Sequence, residues 1–103
     1  MKVIMNGKRY STEKAELVMR LQYSRDHIEQ LWLTKKGSWL EEIQASGISE
    51  KQKTAVFVLT GDEAYDYLVE AQFAPPEAFT EDMDPQSVAN IIEHYFPDKL
   101  EDE

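Results

Sequence analysis

Carboxylates are the residues of this chain with the most chemistry to offer. Residues 61–103 hold thirteen Asp and Glu against a single cation, Lys99, while residues 1–60 hold ten Lys and Arg against seven acids. The halves therefore carry −12 and +3, within a net charge of −9. Acids can act as a paired acid and base, as cation ligands, or as a negative surface for a basic partner. Hydrolysis by paired carboxylates needs a cleft that a core this small rarely builds. Glu81-Asp82-Met83-Asp84 has charge enough for calcium but lacks the Gly and closing Glu of a calcium loop. Asp84 has a local use as a helix cap, and Asp62 and Glu63 belong to another helix start. Electrostatic recognition remains. Asp62, Asp66, Glu70, Glu77, Glu81, Asp82 and Asp84 are the candidate partner-binding surface, suited to a cationic protein. A solvated, solubility-promoting surface is the competing reading of the same acids.

Other chemistries find little support. Cysteine is absent, which excludes disulfides, thiolate metal sites and a cysteine nucleophile. His27 and His94 lie far apart and have no ligand spacing around them, so no metal site is expected. The four glycines are scattered among turns and make no phosphate loop, and no Ser sits in a nucleophile elbow. The expectation is a protein that is not an enzyme, with no catalytic residue and no cofactor. Lys35 and Lys36, with Trp32 and Trp39 nearby, could touch nucleic acid by charge and stacking. The overall acidity argues against it, and direct nucleic-acid binding is not expected. Tyr65, Phe73, Phe79, Tyr95 and Phe96 lie among the acids, and any left exposed would serve as apolar anchors of an interface.

The elements that must position these residues follow from spacing and punctuation. The length and the 42% hydrophobic, 30% charged composition fit one globular domain over residues 1–97, with an acidic C-terminal helical part and a charged tail at 98–103. The longest apolar run, Ala55 to Leu59, is too short to span a membrane, and the N-terminus lacks the apolar core of a secretory signal. A cytoplasmic protein is expected. Lys2 to Met5 reads as a strand closed by Asn6-Gly7. Ser11 or Thr12 can cap a helix through about Gln22, with Ala15, Val18 and Met19, and also Leu17 and Leu21, at helical spacing. Ile28 to Thr34 and Ser38 to Ile43 read as a hairpin around Lys35-Lys36-Gly37, with Leu31 and Leu33 on one face and Trp32 on the other. Gln44 to Lys53 reads as a loop. Thr54 to Leu59, apolar at consecutive positions, reads as a central strand covered on both faces.

Thr60 and Glu63 form a capping box for a helix with Ala64, Tyr67, Leu68 and Ala71 on its apolar side. Pro75-Pro76 stops that helix. Asp84-Pro85 starts another, with Val88, Ile91, Ile92 and Tyr95 as its stripe and Pro97 as its end. The predicted order is β-α-β-β-β-α-α, an α+β fold with a small antiparallel sheet of three to four strands and helices packed on it. A strand apolar on both faces needs a second cover, either the C-terminal helix or another copy of the chain, so a homodimer is compatible.

A resemblance adds to this reading. Ile4-Met5-Asn6-Gly7-Lys8-Arg9-Tyr10-Ser11-Thr12-Glu13-Lys14-Ala15 resembles the opening of small proteins carried by phages and mobile elements of Gram-positive bacteria. Leu31-Trp32-Leu33-Thr34-Lys35-Lys36-Gly37 and Leu59-Thr60-Gly61-Asp62-Glu63-Ala64 match their hairpin and their strand-to-helix junction. The likeness covers roughly residues 4–71 and stops before the Pro-rich, acidic stretch. In size, charge and lack of chemistry the chain is similar to type II-A anti-CRISPR proteins. That resemblance implies a bacterial host cell and a Cas9 inhibitor that blocks guide RNA or target DNA binding, with Cas9 or its guide complex as partner. Its alternative is a regulatory or assembly module of a mobile genetic element, binding a partner protein.

Overall fold

In the computed structural model, residues 1–46 and 52–103 are described, and they open on a tight hairpin. Strands β1 (Lys2–Met5) and β2 (Lys8–Ser11) pair antiparallel around Asn6 and Gly7. Both turn residues have positive φ, 53° and 73°, which this two-residue turn demands. Thr12 ties the hairpin off. Its N–H donates to the Met1 carbonyl at 3.0 Å, and the terminal amine donates to its hydroxyl at 3.0 Å.

The larger sheet contains β3 (Glu16–Ser24), β4 (His27–Leu33), β5 (Trp39–Ser46) and β6 (Gln52–Leu59), antiparallel in the order β3-β4-β5-β6. The helix expected from Ser11 or Thr12 to Gln22 does not form; that stretch is the end of β2, a turn and most of β3. Met19 and Leu21 are buried while Arg20 and Gln22 point to the other face, a period of two. A bulge between Leu17 and Met19 places Val18 against the core as well. That extra inward residue gave the run its false helical spacing.

The β4–β5 hairpin matches its expectation. Gly37 takes φ 88°, Thr34 N–H donates to the Ser38 carbonyl at 2.9 Å, and Leu31 is buried. The expected loop from Gln44 to Lys53 is shorter, because β5 extends to Ser46 and β6 begins at Gln52; its remainder, 47–51, lies outside the described residues. Among the described residues β6 has one strand neighbour, β5, so Thr54 to Leu59 forms an edge and not a central strand. Ala55 is exposed, and Phe57 is 48% exposed on the helix-bearing side, beyond the reach of the helices.

Both long helices start on their capping signals. In α1 (Gly61–Ala71) the Thr60 hydroxyl accepts from Glu63 N–H at 3.1 Å, and Thr60 N–H donates to the Glu63 carboxylate at 2.9 Å. A 3-10 turn at Pro76–Ala78 follows. In α2 (Pro85–Tyr95) Asp84 Oδ1 accepts from Ser87 N–H at 2.7 Å and from its hydroxyl at 3.1 Å, with Pro85 in the first turn. Each cap stabilises its helix by about 1 kcal/mol.

The core lies between one sheet face and both helices. Met19, Leu21, Leu31 and Trp39 meet Ala64, Leu68, Ala71, Val88 and Ile92. The C-terminal helix therefore shares the face of α1 and does not cover the opposite one. Trp39 is the junction: Tyr95 meets its ring edge-on at 5.3 Å, and Phe96 stacks on it at 5.4 Å and 27°. On the far face Trp32, Leu40 and Val58 stand in one cross-strand row, with Leu40 only 1% exposed between its neighbours. Beside them Trp32 Nε1 donates to the buried Glu42 carboxylate at 3.2 Å. The fold is α+β, two antiparallel sheets with one helical layer. Among the described residues no helix is long and apolar enough to cross a membrane.

Candidate functional site

The seven acids singled out in the sequence all lie exposed in the helical layer and its connections. Asp62, Asp66 and Glu70 are spaced by four along α1 and share one outward face. Glu77 sits on the 3-10 turn, and Glu81 and Asp82 occupy the bend before α2. Two of the seven are engaged internally. Lys99 Nζ donates to Asp62 Oδ1 at 2.6 Å, and this bond holds the Asp62 carboxyl below its ordinary range. Asp84 is committed to the α2 cap. Among the described residues, no cation lies at salt-bridge distance from Asp66, Glu70, Glu77, Glu81 or Asp82.

Of the five aromatics among these acids, four pack against the core: Tyr65, Phe79, Tyr95 and Phe96. Phe73 does not. It is 80% exposed, directly after α1 and between Glu70 and Glu77 in sequence. An apolar anchor flanked by unpaired carboxylates is the arrangement of an interface with a charged rim.

Sequence spacing did not reveal a second feature. Lys8, Arg9, Tyr10, Ser11 and Lys14 of the first hairpin and the turn after it line a cleft with Thr34, Lys35, Lys36 and Ser38 of the β4–β5 turn. Its volume is about 770 Å³. Reading the sequence named Lys35 and Lys36 of these cations, with Trp32 and Trp39 nearby, and neither tryptophan lines the cleft. The other three cations reach the cleft through the folding-over of the first hairpin, a tertiary event without a local signal.

A third cluster lies between β4 and α1. Tyr67 Oη donates to Glu29 Oε1 at 2.8 Å, and His27 Nε2 lies 2.8 Å from Glu29 Oε2. Tyr23 stands against the His27 ring, with centroids 5.0 Å apart. Burial and then the Glu29 charge push the Tyr67 phenol well above its usual range, and the same two causes raise Tyr23. Both Glu29 oxygens are thus taken by internal partners, and the bond from Tyr67 fastens α1 to the sheet. His94 is remote, on the last turn of α2 against Tyr95. Among the described residues no group of three His, Cys, Asp or Glu is placed to hold a metal ion.

Glu41, opposite Leu31 in the neighbouring strand, is raised first by burial and then by Glu29 and Glu63. A carboxyl raised on folding favours the protonated form, so the native state binds more protons than the unfolded chain. Its ionisation therefore costs stability progressively as pH rises from the ordinary glutamate range through the raised value. Glu41→Gln is expected to raise the urea midpoint at pH 7 and to leave it nearly unchanged at pH 4. Equal shifts at both values would contradict this.

Compared with models of known families, with curated proteins and with solved structures, the chain shows no match to any of them.

Proposed function

We propose that this protein is a non-catalytic inhibitory binding module whose acidic helical layer engages a basic surface on a nucleic-acid-binding protein. The observation that carries the reading is the set of five exposed carboxylates that have no salt-bridge partner among the described residues, Asp66, Glu70, Glu77, Glu81 and Asp82, on either side of the exposed Phe73 in sequence. A negative field of this kind speeds encounter with a cationic groove and excludes acidic partners, and salt weakens it. On the resemblance read from the sequence alone, Cas9, alone or with its guide, is the specific candidate. Cas9 holds its heteroduplex in a positively charged channel, which would give this layer its electrostatic target. A cytoplasmic setting in the host cell goes with that reading.

The test is co-elution with Cas9 before and after guide loading, together with a cleavage assay. Inhibition at low ionic strength is expected to fall at least about tenfold in the triple variant Glu77→Lys, Glu81→Lys, Asp82→Lys, consistent with several rim charges acting together. Asp84 and Asp62 are left intact because they serve the cap and the Lys99 pair. Cleavage unchanged by a large molar excess of the native protein would remove Cas9 as the target. Inhibition indifferent to the charge reversals would remove the acidic layer as the contact surface.

A further inference from the structure

We propose that the cleft between the first hairpin and the β4–β5 turn binds a single strand of nucleic acid through its phosphates. This inference concerns the opposite charge from that of the helical layer and does not rest on the function proposed above.

Half of the ten cations in residues 1–60 line this one cleft: Lys8, Arg9, Lys14, Lys35 and Lys36. Among the described residues none of them lies at salt-bridge distance from an acid. Two acids adjoin them. Glu13 precedes Lys14, and Glu16 lines a smaller neighbouring hollow, where it accepts from Tyr95 Oη at 3.1 Å. Five positive charges against two leave the cleft positive within a chain of net charge −9. At physiological salt, exposed charges beyond about 8 Å are largely screened, so the local excess governs what enters.

The lining supplies more than charge. Ser11 Oγ accepts from Glu13 N–H at 3.2 Å, and Thr34 Oγ1 accepts from Ser38 N–H at 2.9 Å. Each hydroxyl thereby keeps its own proton to donate toward an anion. Tyr10 presents a half-buried ring on the same wall, a surface on which a base can stack. Four of the five cations are lysines, point charges that follow a phosphate backbone without the fixed fork geometry that a carboxylate-specific arginine site would use. The cleft lies between β2 and the β4–β5 turn, and a single strand, whose bases are free to stack, can engage Tyr10 as well as the cations, whereas a duplex offers only its phosphates.

The experiment is fluorescence anisotropy at about 50 mM salt with a labelled single-stranded DNA of about 12 nucleotides, a length within the site sizes of such grooves. Parallel arms use the matching RNA, the duplex and a labelled polyglutamate. Expected is single-strand binding in the micromolar range, with a log–log salt slope of about −2 to −3.5, as three to five phosphate contacts would give. Lys35→Ala with Lys36→Ala is expected to weaken binding at least about tenfold and to shrink the slope by about 1.4, the share of two phosphate contacts. Lys8→Ala with Lys14→Ala, from the other wall, is expected to do the same, with unchanged far-UV circular dichroism for both pairs. No anisotropy change up to about 100 μM protein would overturn the proposal. Polyglutamate or duplex binding as tight as the single strand would also overturn it, as would a loss confined to one wall. Head-to-tail association with the acidic layer of a second copy would appear as oligomers in the absence of nucleic acid, and binding abolished in that form would count against it.

Discussion

Trp39→Ala is expected to cost about 3–5 kcal/mol, the range for truncating a large buried aromatic. The indole is 8% exposed, at the start of β5, with Leu33 and Leu59 beside it on the flanking strands. Tyr95 and Phe96 close over it, and Phe96 in turn meets Tyr65 edge-on at 5.6 Å. Removing the ring therefore empties the junction of β5, the end of α2 and the first half of α1 together. Aromatic pairs of this geometry add about 0.5–1.5 kcal/mol beyond the area they bury. Against a typical domain stability of about 5–15 kcal/mol, the loss is a large fraction of the whole. Urea denaturation with near-UV circular dichroism measures it. A loss below about 1 kcal/mol would mean that the end of α2 is not held on the sheet as described.

Leu68→Ala is expected to cost about 2–5 kcal/mol and to lower the melting temperature by roughly 8–40 °C, taking about 4–8 °C per kcal/mol for a domain of this size. Leu68 lies in the middle of α1 and is fully buried against the sheet and α2. Alanine is at least as good a helix former as leucine, so backbone propensity does not contribute to the loss. The measured cost therefore reports the lost burial of the side chain and the cavity left behind. A shift under about 3 °C in a calorimetric scan would show that α1 is not the centre of the core.

Both helices were legible before any coordinates, because their signals are local. Thr60 with Glu63, and Asp84 with Pro85, mark the starts within four residues, and the apolar positions Ala64, Leu68, Val88 and Ile92 then fall on the buried side. The β4–β5 hairpin was legible for the same reason, through Gly37. The residues 16–24 were not. A bulge put Leu17, Val18 and Met19 out of strict alternation, and the mixture of periods imitated a helix. Thr54 to Leu59 was misplaced because an unbroken apolar run does not say whether a strand is central. Here it is an edge whose Phe57 remains half open.

Much of the acidic layer could be read directly, since charged residues at helical spacing face outward. The engagement of Asp62 could not, because its partner Lys99 lies 37 residues away. The basic cleft was hidden for the same kind of reason. Lys8, Arg9 and Lys14 join Lys35 and Lys36 only when one hairpin lies beside another, and pairwise spacing carries no trace of that.

The order of the strands sets the schedule of synthesis. Every strand of the larger sheet pairs with its neighbour in sequence, so the sheet can assemble as soon as Leu59 leaves the ribosome. Its cover is then still inside the ribosome, because the stretch from Leu59 to Tyr95 emerges behind it. Through that interval Met19, Leu21, Leu31 and Trp39 face water on a nascent chain, open to chaperones and to one another.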